Sequence, residues 1–274
     1  MKSLSFSHLP ESKSPEELFS FIRAIKSRDM RTNSQWTIQT LTKIFQEGRV
    51  WIRILDGLAI ILLADNEGIF RLSYYSGDAR EIAKINESLP IGMSPIMCDL
   101  VGKEPAVKEH AEELASFFPL YAQYRRMICT DLIPTQNIDI SEVGLALLGD
   151  ENELLEMLHN EFDVLTARMP TLNLIRQRIE NEDVFLVRKD NRIAGFINFD
   201  SKRQKAALLD YVLVRPEYRN QHIARKIWNY KLKEHNESKY YYLWVNMKRQ
   251  AAIRFHESNK FRFDGLIDNI YKIR

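Results

Sequence analysis

Between Leu209 and Trp228 the chain places an apolar strand against Pro216, then a short polar loop, then a basic amphipathic helix starting near Ile223. A strand, a tight turn and a helix N-terminus make a ready anion site, because the first backbone N–H groups of a helix have no helical partner. The chemistry served is the holding of a phosphate or pyrophosphate. No other catalytic pattern competes with it: there is no Ser/His/Asp triad order, zincin motif, Walker loop or dinucleotide-type glycine run. Cys98 and Cys129 lie far apart without a CxxC, which argues against a disulfide framework or a thiolate metal site, and both read as buried free thiols.

The wording of that turn resembles the acetyl-CoA pyrophosphate loop of the GNAT (GCN5-related N-acetyltransferase) superfamily, Val-x-Pro-x-x-Arg/Gln-x-x-Gly-x-Gly/Ala. Val214, Pro216, Arg219 and Ala224 fit, and His222 stands at the first glycine. The run from Val245 to Phe261 resembles the second motif of the same superfamily, near Asn-x-x-Ala-x-x-Phe-Tyr-Glu-x-x-Gly-Phe. Ala252, Phe255, Glu257 and Phe261 match it, while Arg249, His256 and Lys260 fill the asparagine, tyrosine and glycine slots. The likeness covers residues 140–274 by motif and residues 15–130 by element order alone.

This resemblance implies an acetyl-CoA-dependent N-acyltransferase that passes an acetyl group to a primary amine of a small molecule or peptide by direct attack. Acetyl-CoA is then the co-substrate, and no metal is needed. The backbone of Val212, Leu213 and Val214 is expected to bind pantetheine and the thioester oxygen. Arg219, Asn220, Gln221, His222, Ile223 and Ala224 are expected to wrap the pyrophosphate, with Arg249 reaching toward the CoA phosphates. Asp210 stands two residues before Val212, on the same face of a regular strand, where many members keep a carboxylate beside the acceptor amine. His256 takes the slot of a tyrosine that commonly protonates the CoA thiolate, and an imidazole's ordinary pKa of about 6.5 suits such duty near neutrality. Asp210 and His256 are the two catalytic candidates. His222 and Arg249 also support a second reading, a CoA-binding sensor or regulatory module without turnover. A third, aminoacyl-tRNA-dependent transfer, suits a basic surface, but such enzymes carry a coiled-coil arm that this sequence lacks.

The elements that must position these residues come in two series of nearly the same order: helices, three antiparallel strands, helix, strand, helix, strand. The expected fold is therefore α/β, with two GNAT-like domains, each a mixed, mostly antiparallel sheet flanked by helices. The expected division is 1–133, a degenerate copy without a CoA loop, and 134–274, the acetyltransferase domain. In the first series the third strand ends Tyr74-Tyr75-Ser76-Gly77-Asp78, and an aspartate cap there would occupy the place a phosphate needs. Residues 1–14 read as a loose lead-in and Thr130–Ile140 as a linker.

A hydrophobic content of 45% and a charged content of 28% describe an ordinary globular protein. The net charge of +2 hides an asymmetry: residues 184–274 carry 20 Lys and Arg against 9 Asp and Glu, and residues 1–183 carry 19 against 28. A basic third of this kind attracts a polyanion or a small multiply charged ligand. Aromatic residues do not alternate with basic ones as in RNA-binding motifs, so CoA is favoured and no nucleic-acid partner is expected. With no signal peptide and no apolar run of spanning length, the expectation is a cytoplasmic monomer or homodimer with no membrane partner.

Overall fold

The computed structural model describes residues 12–25, 30–34, 36–203 and 205–274, so the expected lead-in lies almost wholly outside the described residues. The chain divides into two compact units, the described residues of Met1–Gln123 together with Leu266–Arg274, and Tyr124–Gly265. Each is α/β, a mixed and mostly antiparallel sheet flanked by helices. Among the described residues no helix is long and apolar enough to cross a membrane.

In the first unit α1 (Pro15–Ala24) opens on a capping box, in which Ser14 and Glu17 each satisfy the other's backbone amide. The sequence pattern predicts a helix over Ser34–Glu47, but α2 (Ile38–Gln46) starts later, because Thr37 takes the cap and its hydroxyl accepts from the Thr40 amide. Gln35 is outside the described residues. β2 (Val50–Leu55), β3 (Leu58–Ala64) and β4 (Phe70–Ser76) form an antiparallel meander, β5 (Ile96–Lys103) runs parallel to β4, and α5 (Glu104–Ala115) follows. The sequence pattern over Asp78–Leu89 predicts one helix with an aspartate cap, and the structure has two short ones, α3 (Ala79–Ile82) and α4 (Ile85–Ser88). Asp78 caps α3, its carboxylate accepting from the Arg80 amide at 2.7 Å.

Parallel pairing of β4 with β5 stops at Leu72–Cys98. Past that point the chain fills the gap itself. β1 (Arg31–Thr32) pairs with Tyr75 and Ser76 of β4. The Asn33 amide donates to the carbonyls of Leu72 and Asp99, both at 2.9 Å, and its oxygen accepts from the Tyr74 amide at 2.9 Å. Backbone groups left unpaired by the parting strands are thereby satisfied from within the chain.

The strand expected to close each series is found in the other unit. β6 (Leu120–Cys129) ends the first series, yet its residues Tyr124 to Cys129 pair antiparallel with β11 (Tyr240–Asn246) of the second unit. β12 (Arg262–Lys272) ends the second series, yet Leu266 to Lys272 pair antiparallel with β5. Burial follows the pairing: Tyr271 and Ile273 sit in a core with Trp51, Tyr74 and Leu114, while Met127 and Cys129 sit in a core with Trp228, Tyr241 and Leu243. The two compact units thus differ in extent from the expected division after residue 133. The expected linker also belongs to the second unit, where Leu132 and Ile140 pack on its core. There Thr135 exchanges two 2.8 Å hydrogen bonds with the Asn229 amide.

The second unit runs β7 (Val143–Leu145), α6 (Glu151–Glu161), α7 (Leu172–Glu180), β8 (Val184–Lys189), β9 (Arg192–Arg203), β10 (Ala206–Val214), α8 (Ile223–Glu234), β11 and α9 (Gln250–Ser258). Its strands lie in the order β6-β11-β10-β9-β8-β7, with β10 and β11 the parallel pair. One face of the sheet is packed by α8 and α9 through Ile227, Trp228 and Ile253, the other by α6 and α7 through Leu154, Leu158, Ile175 and Ile179. The sequence pattern predicts a helix over Glu151–Leu165, but α6 stops at Glu161, because the Asp163 carboxylate turns the chain by accepting from the Leu165 amide at 3.0 Å.

Candidate functional site

The parallel pairing of β10 with β11 ends at Leu208–Tyr242. β10 continues to Val214 with its other edge still on β9, so its groups facing β11 have no strand partner beyond that point. Here, among the described residues, no segment of chain fills the gap. Instead a cavity of about 840 Å³ opens there, walled by the two strands, the loop before α8, and the N-terminus of α9. Asp210, Val212, Leu213, Val214, Arg219, Asn220, His222, Ile223, Ala224, Arg249 and His256 all line it. Gln221 does not; its side chain faces away and accepts from Lys189 Nζ at 2.9 Å.

After the Pro216–Tyr218 turn, the backbone amides from Asn220 to Arg225 have no acceptor within the described residues, and Lys226 is the first to donate to a helical carbonyl. They form a cluster of free donors at the positive end of a 12-residue helix. His222 adopts φ 59°, ψ 17°, the left-handed conformation that a glycine would supply without strain. Lys260, the second residue in a glycine slot, likewise has φ 68°. His222→Gly should therefore raise stability by about 1 kcal/mol, read as a higher Tm. An unchanged or lower Tm would show that the imidazole makes a compensating contact.

Arg219 ties the loop down rather than pointing free at it: Nε donates to the Val214 carbonyl at 3.2 Å, and the guanidinium pairs with Glu161 at 2.9 Å. Arg249 is held at the same helix end, donating to the Glu161 carbonyl and lying 5.2 Å from the Phe162 ring centroid. Gly195 on β9 makes the close approach possible. A Cβ there would meet the Leu213 carbonyl oxygen and Val214 Cγ2 at 2.9 Å and Ile223 Cγ2 at 3.0 Å. The only sign of it in the sequence is a lone glycine within a strand pattern.

Asp210 does not share a face with Val212, as a regular strand would require. Leu209 pairs with Phe199 and Tyr211 with Asn198, so Asp210 is the extra residue of a β-bulge. The bulge reverses the alternation: Leu209 and Val212 pack toward α8, Tyr211 and Leu213 toward α6 and α7. Asp210 turns to the latter side, with Oδ2 3.9 Å from the Arg178 guanidinium. Arg178, only 4% exposed, is bonded more closely to Asp200, at 2.8 Å. Burial pushes the Asp210 carboxyl up to about 6; Arg178 pulls it down and Asp200 pushes it further up. Such a carboxylate is a usable base near neutrality.

His256 approaches from the opposite side, against Phe261 in the core under α8 and α9. It is 5% exposed, and burial pushes its pKa down to about 4. His256 is therefore a neutral imidazole near neutral pH, its pKa below the ordinary value on which the sequence expectation drew. Nδ1 is buried with no hydrogen-bond partner among the described residues, and the residue lines the cavity.

Four rings outside the motif matches also line the cavity: Tyr124, Phe162, Tyr218 and Trp244. Tyr124 comes from β6, and no motif marks it. Phe162 ends α6 and stacks edge-on to Tyr211 at 5.4 Å. Trp244 alternates with the core residues Leu243 and Val245, which puts it on the other face of β11.

The geometry agrees with what comparison finds. The chain's fold is similar to that of the GCN5-related N-acetyltransferase from Sphaerobacter thermophilus, at 11% identity, TM-score 0.57, covering 96% of this chain and 95% of that one. It is also similar to the GCN5-related N-acetyltransferase from Kribbella flavida, at 10% identity, TM-score 0.55, covering 96% of each. A tandem GNAT protein from the clavulanic acid biosynthesis pathway aligns at 11% identity, TM-score 0.50, covering 82% of each chain. No curated protein matches. Residues 152–261, the segment that carries the cavity, match the model of the acetyltransferase (GNAT) family.

Proposed function

We propose that the second unit is an acetyl-CoA-dependent N-acetyltransferase acting on a primary amine. The observation that carries this reading is the parting of β10 from β11 beside a helix N-terminus with free amides. An extended pantetheine arm can take the unpaired edge of β10 at Val212 to Val214, while the amides of Asn220 to Ala224 receive the pyrophosphate. The two faces of the sheet then supply different chemistry through the gap. From one, Asp210 takes the proton of the ammonium group as the amine nitrogen attacks the thioester carbonyl carbon. The tetrahedral intermediate gives its second nitrogen proton to solvent and collapses; the C–S bond breaks, and sulfur leaves with the electron pair. From the other, neutral His256 donates a hydrogen bond to that sulfur, which takes its proton from solvent. No metal takes part. The first unit is in this reading a degenerate GNAT-like domain, because its equivalent gap is filled by β1 and Asn33 and its turn is closed by Asp78. The setting is cytoplasmic and the active species a monomer or homodimer.

Calorimetry with acetyl-CoA and a thiol-release screen over amines test the reading on the full chain. One acetyl-CoA per chain is expected, with binding lost in a Val214→Pro, Ala224→Pro double variant, where a backbone donor is removed and the helix start is crowded. Binding at two equivalent sites would contradict the assignment of the first unit. Binding without thiol release to any amine would make the second unit a CoA sensor.

A further inference from the structure

The polar side chains around Asp210 are largely committed to the protein. The Tyr124 hydroxyl bonds to Thr166 Oγ1 at 2.8 Å, and the Asn246 oxygen accepts from the Lys248 amide at 2.9 Å. Asp163 accepts from the Leu165 amide, and Glu161 holds Arg219. Beside these groups, this side presents three aromatic rings to the cavity. Trp244 lies on β11 two residues beyond the last pair, Leu208–Tyr242, level with Asp210 across the gap. Tyr124 lies opposite Asn246, on the same face as Trp244, and Phe162 rests against Tyr211 beside the bulge. Three aromatic rings thus line the cavity together with Asp210, while the other two carboxylates there, Glu161 and Asp163, already hold Arg219 and the Leu165 amide.

Resting on the acyl-transfer reading above, we infer that the acceptor is a primary amine carried on a short aryl or apolar chain, recognised by ring contacts and one carboxylate. The ammonium group meets Asp210 and the ring faces, which attract a cation electrostatically. The body of the acceptor stacks among Trp244, Phe162 and Tyr124. A polyhydroxylated acceptor such as an amino sugar would lose hydrogen bonds to water and find spent partners in exchange, which disfavours it strongly.

The test measures kcat/KM on the full chain with phenethylamine, n-butylamine and glucosamine, together with calorimetric binding of each to protein saturated with CoA. Phenethylamine should exceed glucosamine by at least about tenfold, with butylamine between them. Trp244→Ala should reduce the phenethylamine-to-glucosamine ratio about three- to tenfold through KM, and Trp244→Phe should restore most of it. Glucosamine equal to or better than phenethylamine would overturn the inference, as would a ratio insensitive to both Trp244 variants. If CoA binds and no amine is acetylated, the acyl-transfer reading fails by itself. The binding preference of the CoA-loaded protein then still decides the ligand class: phenethylamine bound ahead of glucosamine supports it, and no preference defeats it.

Discussion

Ending the chain at Gly265 will leave the first unit without a stable fold. The lost segment supplies a seven-residue antiparallel ladder to β5 and the buried side chains of Ile267, Ile270, Tyr271 and Ile273. Burying one large apolar side chain contributes about 1.5–3 kcal/mol, so four contribute roughly 6–12 kcal/mol. That rivals the whole stability of an ordinary domain. The expected result is loss of amide protection in β3, β4 and β5 by hydrogen exchange, with early unfolding in circular dichroism. Retention of protection in β5 would show that the pairing with β12 is dispensable.

Asp210→Asn is expected to lower kcat by about 100- to 10,000-fold while the Kd for acetyl-CoA stays near its original value. In the wild type, kcat/KM should rise as pH climbs through about 6 and then level, because the charged form is the base. The groups facing Asp210 are Arg178 on α7, Asp200 on β9 and the adjacent Tyr211. Arg178→Met should therefore move the acid limb upward and Asp200→Asn downward, each by about one unit. Stability moves the other way from activity. A carboxyl raised in the folded state favours folding fully below its ordinary pKa, and that contribution is lost as pH rises through 6. The asparagine variant should thus melt higher than wild type above pH 6 and show no such advantage below about pH 4. Wild-type kcat in Asp210→Asn across pH 6–9 would move the base to another residue or a water chain.

Local chemistry made most elements legible. Val184–Lys189, Ala206–Val214, Tyr240–Asn246 and Leu172–Glu180 are marked by alternation, helical period and a threonine cap, all short-range signals. Strand neighbours are not short-range. Leu120–Cys129 and Arg262–Lys272 read as strands, but the same alternation suits either sheet, so their exchange shows only in three dimensions. The site divides in the same way. The loop was visible in Val214, Pro216 and Arg219, since turn and cap chemistry is written in adjacent residues. The bulge at Asp210 was not, because an extra residue in one strand is defined by its partner, and it changed the face of the sheet on which the carboxylate lies. The pKa of His256 was hidden for a similar reason: burial by Phe255 and Phe261 is a property of packing.

The pairing of β5 with β12 also sets an order of events in the cell. A ribosome delivers β2, β3, β4 and β5 first, but the strand that covers β5 emerges only after the whole of Tyr124–Gly265 has been made. Domains of newly made proteins usually fold N-terminal first. Here the earlier part of the chain must wait with Ile96, Cys98 and Leu100 on an uncovered strand edge, a template for pairing with any other nascent chain. Translation speed through the second unit therefore governs how long the first stays exposed, and slow codons there would favour aggregation of a segment they do not encode.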